Sequence, residues 1–135
     1  MTQPEEEKPA QTFYDQLGGA TVLEALVKRF YANMDTLPEA EPIRRMHPDQ
    51  LSGSESKLFK FLSGWLGGPN LYIEEFGHPR LRMRHLPFAI GTAARDQWLL
   101  CMKKALDDTI DDPRLRQHLY NALDQSATHM INQPD

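Results

Sequence analysis

The chain has 135 residues, enough for one domain around a single core. Hydrophobic residues make up 40% and charged residues 25%, the balance of a folded globular domain rather than a disordered or membrane-spanning chain. A formal net charge of −4 argues against nucleic acid as a partner, because phosphate-binding surfaces are strongly basic.

Residues 1–10 carry two prolines and three consecutive glutamates. Such a stretch cannot bury a core, so a disordered tail is expected there, followed by one domain over residues 11–135. The tail lacks the apolar segment of a secretory signal, and no run in the chain approaches the ~18 apolar residues of a membrane span. The single cysteine, Cys101, excludes an intramolecular disulfide and a cysteine-rich zinc site. A reducing, cytoplasmic location is therefore expected. Cys101 lies in the apolar run Trp98-Leu99-Leu100-Cys101-Met102 and reads as a small buried hydrophobe.

Thr12 to Leu17 predicts one short helical turn, with Thr12 as N-cap and Gly18-Gly19 as the stop. From Ala20 to Met34 the apolar residues Val22, Leu23, Leu26, Val27, Phe30 and Met34 recur at three- and four-residue steps, the period of a helix. Tyr31 stands beside that stripe, either as a core-edge tyrosine with its hydroxyl in water or with the hydroxyl aimed into a pocket. Asp35 to Pro42 reads as a loop, with or without one turn of helix, and Ile43 to Met46 as a short helical piece closed by His47-Pro48. The residue before a proline avoids the α region, so His47 sits at a bend. Ser52 and Ser54 offer N-caps for a helix running to Trp65, with Leu58, Phe61, Leu62 and Trp65 on its buried face. Gly67-Gly68-Pro69 ends that helix, and Asn70 to Phe76 is expected to be irregular.

The stretch from Gly77 to Phe88 packs two histidines, three arginines and two prolines together. Pro79 and Pro87 bracket a helix of about two turns, since proline is favoured at a helix start and prevents continuation. His85 falls near its C-terminal end, where free carbonyls can accept one imidazole N–H and leave the other nitrogen as a directed lone pair. By its own pattern His85 fits an ordinary surface or core histidine as well, and Leu81-Arg82-Met83-Arg84 alternates in a way that also suits a strand. The three arginines suggest a small anion such as a carboxylate. A long helix is expected from Thr92 to about Asp108, and a last one from Pro113 to about Ile131. Strand signals are scarce, so the fold class is all-α.

There is no glycine-rich phosphate loop, HExxH, EF-hand loop or GxSxG. The five histidines are at 47, 78, 85, 118 and 129, and no two stand three or four apart as a zinc pair on one helix face would. One protein nitrogen with a prosthetic group supplying the remaining ligands fits better, and haem is that case.

At this point the chain resembles the truncated haemoglobins, and within them the second group. The matching residues are Phe13-Tyr14-Asp15 before Gly18-Gly19, Arg29-Phe30-Tyr31, Arg44-Arg45 before His47-Pro48, and Trp65 before Gly67-Gly68-Pro69. The most specific block runs from Gly77 through His85 to Pro87-Phe88, followed by Arg95-Asp96 and by Trp98, thirteen residues after His85. The resemblance implies a globin-like two-over-two helical sandwich around haem b (iron protoporphyrin IX). It implies His85 as the proximal iron ligand, and Arg84, Lys57 and Tyr72 at the propionates. Leu58, Phe61, Leu62, Leu81, Phe88 and Trp98 would line the ring. Tyr31, Trp98, Leu58, Ser54 and His47 would form the distal side. Relatives often carry tyrosine or phenylalanine where this chain has His47, which could donate to a ligand or approach the iron itself. The implied function is reversible binding of O2, CO or NO at a pentacoordinate or labile hexacoordinate iron, with an unidentified reductase as partner. Oxygen binding and transport are the roles that follow from it. The alternative is a redox enzyme acting on peroxide or NO, for which His47 is the candidate catalytic residue, able to move a proton.

Overall fold

The computed structural model describes residues 11–134, so the expected tail over residues 1–10 lies outside the described part. It holds eight α-helices and one 3-10 turn, and no strand among the described residues. They are α1 (Phe13–Leu17), α2 (Gly19–Thr36), α3 (Glu41–Arg44), α4 (Ser52–Trp65), α5 (Leu71–Phe76), α6 (Leu81–His85), α7 (Thr92–Thr109) and α8 (Pro113–His129). The 3-10 turn covers Pro38–Ala40.

The long helices make two layers. α2 packs on α4 and on α7, and α7 packs on α8. The α2 stripe of Leu23, Leu26, Val27, Phe30 and Met34 meets Cys101, Met102, Ala105 and Leu106 of α7 in one core, completed by Leu119 and Leu123 of α8. Burial of such side chains contributes on the order of 1.5–3 kcal/mol each. Polar groups fix the layers laterally: Asn33 donates to the Cys101 carbonyl at 3.0 Å, and Arg29 pairs with Asp108 at 2.8 Å.

Local chemistry explains most of the boundaries. Thr12 and Asp15 form a capping box, each side chain accepting the other's backbone N–H. Gly18 and Gly19, at φ 115° and 74°, turn the chain directly from α1 into α2. Asp112 caps α8 by accepting the Arg114 N–H at 2.9 Å, with Pro113 at the first helical position.

Five expectations need correction. α4 starts without a side-chain cap: its N-cap residue is Leu51, and Ser52 is already helical. On its face Leu62 is buried and Leu58 and Phe61 are partly so, whereas Trp65 is exposed. Residues 71–76 are helical rather than irregular, and the piece placed at Ile43 to Met46 begins earlier, at Glu41. The helix expected to start at Pro79 is shorter, because Arg80 takes a left-handed φ of 47° that delays the start to Leu81.

Candidate functional site

His85 is the last residue of α6, half-buried, and its Nδ1–H donates to the Leu81 carbonyl at 2.6 Å. The acceptor lies one turn back, not among the last free carbonyls of the helix. A carbonyl can only accept, so this bond places a proton on Nδ1, and in the neutral tautomer Nε2 is then the directed lone pair.

A second group gathers around Phe30 on α2. Its ring lies 4.9 Å from that of Tyr31 and 5.0 Å from that of Trp98 on α7. The His47 ring meets Tyr31 edge-on at 5.9 Å. Tyr31 is buried, and burial, with the Glu55 carboxylate adding to it, holds its phenol far above the ordinary tyrosine range. It is therefore a donor at any physiological pH. Neither its hydroxyl nor the Trp98 indole N–H has a protein acceptor among the described residues. His47 donates from Nδ1 to the Ile43 carbonyl at 2.8 Å, which leaves its Nε2 free. The loop behind it is clamped by Arg44, which binds Asp35 and the carbonyls of Pro48 and Asp49, each at 2.9 Å. Thus Tyr31, His47 and Trp98, far apart in sequence, join one aromatic cluster, with Phe30 between Tyr31 and Trp98. Ser54 is half-buried in the first turn of α4, and its hydroxyl makes no hydrogen bond among the described residues.

A third group is cationic. The Arg84 guanidinium stands 6.0 Å from the Tyr72 ring, and Tyr72 packs on Phe76 at 4.9 Å. Lys57 and Lys60 lie over Phe76 at 5.5 and 5.7 Å, and Lys60 is also paired with Glu75. Arg84, Lys57 and Tyr72, from three different helices, thus share one edge where a carboxylate would be held.

Apolar walls come from α4, α6 and α8. A cavity of about 710 Å³ opens between α4, α6 and α8, lined by Phe61, Trp65, Leu81, Met83, Ala122 and Ser126 among others. It contains Phe61 and Leu81 from the expected wall but does not reach Tyr31, His85 or Trp98. The contribution of α8 was not foreseen. Its signal is present in the sequence, since small residues at Ala122 and Ser126, one turn apart, leave room on that face. Leu58 and Leu62 sit on the α4 wall, and Phe88 lies beyond α6 with 41% of its surface exposed. Cys101 is fully buried, and burial pushes its thiol up to about 11, which removes it as a nucleophile.

The bacterial-like globin family model matches residues 12–132. The group 2 truncated hemoglobin YjbI of Bacillus subtilis is 42% identical over 117 residues, covering 87% of this chain and 86% of that protein. The group II 2-on-2 hemoglobin of Agrobacterium tumefaciens superposes with a TM-score of 0.91 at 47% identity, covering 94% of this chain and 98% of that one. The cold-adapted truncated hemoglobin of the Antarctic bacterium Pseudoalteromonas haloplanktis TAC125 gives 0.90 at 48% identity, over 92% of this chain and all of that one, 100%. With its helices in the same two-over-two arrangement, this chain belongs to the bacterial-like globins and, within them, to the group II truncated haemoglobins.

Proposed function

We propose that the protein binds haem b through His85 and takes O2, CO or NO reversibly on the side lined by Tyr31, Trp98 and His47. Membership of the globin family implies haem and diatomic gas ligands. The observation that carries the reading onto this chain is the bond from His85 Nδ1–H to the Leu81 carbonyl at 2.6 Å, which orients a bare Nε2.

The residues present fit a flat, apolar, dianionic group. Among the described residues Trp65, Ile73, Met83, Leu86 and Phe88 are the large apolar side chains left exposed, and Trp65 and Met83 line the cavity between α4, α6 and α8. Apolar surface left open at a cavity marks a binding site. Arg84, Lys57 and Tyr72 supply the edge for two carboxylates. When bound, haem supplies an iron with one position open, or closed only by a labile sixth ligand.

The chain's own residues do the rest. His85 Nε2 would hold the iron. The Tyr31 hydroxyl and the Trp98 indole N–H would donate to a small ligand bound there, and the apolar walls would keep water from competing. Two donors around one ligand would slow its release, which suits retention better than bulk delivery. A second reading, redox turnover of peroxide or NO, is favoured by one observation: with Nδ1 committed to Ile43, His47 Nε2 is a free base beside Tyr31. Reversible O2 binding and NO turnover would call for a reductase to keep the iron ferrous, whereas peroxide turnover would call for an electron donor to the oxidised haem.

Absorption spectra of the ferric, ferrous and CO forms test the proposal. A haem-type Soret band that shifts on adding CO, and disappears in His85→Ala, is the expected result. A purified protein without that band would remove it.

A further inference from the structure

α6 carries His85 yet is the least supported helix of the fold. It has five residues and buries none of them, and its N-cap residue, Arg80, makes no side-chain cap. So short a helix does not hold itself in water. The His85–Leu81 bond does not help, because both residues belong to α6 and move with it. The bond from Arg84 Nε to the Pro79 carbonyl at 2.7 Å is equally local.

The hydrogen bonds that leave the segment all run to the far end of the chain. Arg82 Nη1 donates to the carbonyls of His129 and Ile131 at 2.7 and 2.9 Å. Asn132 grips the other end. Its Nδ2 donates to the carbonyls of His85 and Phe88 at 3.2 and 2.9 Å, and its Oδ1 accepts the Ile90 N–H at 2.9 Å. The backbone N–H groups of Asn132 and Gln133 add bonds to the Ile90 carbonyl at 2.8 and 3.1 Å. A carboxamide can donate twice and accept at the same time, and here it does all three.

We propose that Asn132, together with Arg82, is a positioning residue for the proximal histidine: the segment after α8 straps α6 to the fold and sets where the His85 ring stands. This rests on the reading of His85 as the iron ligand. Arg82 fixes the start of α6 and Asn132 fixes its end, so the tilt of the helix is determined by two points. Loss of either point frees the His85 backbone while leaving the core of α2, α7 and α8 untouched.

The test uses Asn132→Asp and Asn132→Ala in the haem-loaded protein. Aspartate keeps the size and the acceptor for Ile90 but loses both donors. In both variants the iron–histidine stretch of the ferrous protein, read by resonance Raman, is expected to shift or broaden. Haem transfer to apomyoglobin should accelerate about tenfold, equivalent to about 1.4 kcal/mol. In the haem-free protein, the amides of Leu86 and Phe88 should exchange about tenfold faster in both variants, and that of Ile90 in Asn132→Ala, while those of α2 and α7 keep their protection. An Asn132→Asp protein with the wild-type band, haem-loss rate and exchange pattern overturns the proposal. If Asn132→Ala does not fold, the near-isosteric aspartate variant decides alone. A wild-type ferrous protein lacking any iron–histidine band overturns the ligand reading of His85 instead, and amide exchange then still decides the strap.

Discussion

His85 and Leu81 are joined by a 2.6 Å bond from imidazole Nδ1–H to carbonyl, one helical turn apart on α6. The bond sets the tautomer and so decides which nitrogen is offered outward. His85→Ala removes that nitrogen without disturbing a core residue, since α6 buries none. The variant is expected to fold with unchanged helix content by circular dichroism and to lose most of its Soret absorbance per protein. Retention of the wild-type spectrum would mean that another residue holds the group.

Tyr31 and Trp98 each bring one donor with no protein acceptor among the described residues. A net hydrogen bond in a sheltered site contributes about 0.5–1.5 kcal/mol, more toward a polarised acceptor. Each of Tyr31→Phe and Trp98→Phe should therefore speed O2 dissociation about tenfold, since ~1.4 kcal/mol is one decade. Phe30 touches both rings, at 4.9 and 5.0 Å, so the double variant should depart from additivity. Stopped-flow dissociation rates equal to wild type would show that these donors do not reach the ligand.

The raised phenol of Tyr31 has a consequence for stability. Its folded-state pKa lies above its unfolded value of about 10 because burial, and secondarily Glu55, disfavour the phenolate. Below pH 10 both states hold the proton and nothing is lost. Above it the unfolded chain releases the proton and the folded one keeps it, so stability falls with rising pH by up to about 1.4 kcal/mol per unit. Urea unfolding of the haem-free protein between pH 9 and 11 should show a shallower alkaline decline in Tyr31→Phe than in wild type. Identical slopes would place the hydroxyl in water.

Gly68 and Gly53 make a matched pair for stability. A Cβ on Gly68 would stand 2.5 Å from Cδ1 of the Tyr14 ring, where α1 docks on the end of α4. The Tyr14 N–H also donates to the Leu66 carbonyl at 2.9 Å, so the two segments cannot easily part. Gly68→Ala is expected to destabilise by about 1–3 kcal/mol through overpacking. Gly53, in the first turn of α4, has nothing within 4 Å of such a Cβ. Gly53→Ala should stabilise by roughly 0.4–1 kcal/mol. Thermal melts that move in the same direction for both would contradict this contrast.

The sequence carries some of these features and hides others for identifiable reasons. Thr12, Gly18-Gly19, Asp112-Pro113 and the apolar period of α2 are local signals, and the helices they announce are where they point. α5 was hidden because six residues give too short a period to read and Asn70 makes no side-chain cap. Ser52 looks like a cap by composition, but Leu51 takes the role. Tyr31, His47 and Trp98 are legible as a group through family resemblance, since no local pattern joins residues on α2, after α3 and on α7. Asn132 is invisible in one dimension, because each of its side-chain bonds crosses more than forty residues, from 42 to Ile90 up to 47 to His85.

His47 is the residue whose role separates a ligand carrier from an enzyme. Its Nδ1–H is spent on Ile43 at 2.8 Å, so Nε2 is the face it offers, as an acceptor when neutral and a donor when protonated. Peroxide turnover needs a group that takes a proton from one oxygen and returns it to the other, which Tyr31, with its phenol held protonated, cannot do. His47→Leu should therefore lower peroxide turnover by about 10²–10⁴-fold, the usual range for a general acid–base group, while CO binding stays intact. Direct approach of Nε2 to the iron predicts something different: a low-spin ferric spectrum in wild type that becomes high-spin in His47→Ala. Ferric spectra and steady-state peroxide assays on the two variants distinguish these roles. If both variants match wild type in spectrum and turnover, the distal chemistry belongs to Tyr31 and Trp98, and His47 only braces the Tyr31 ring that it meets edge-on at 5.9 Å.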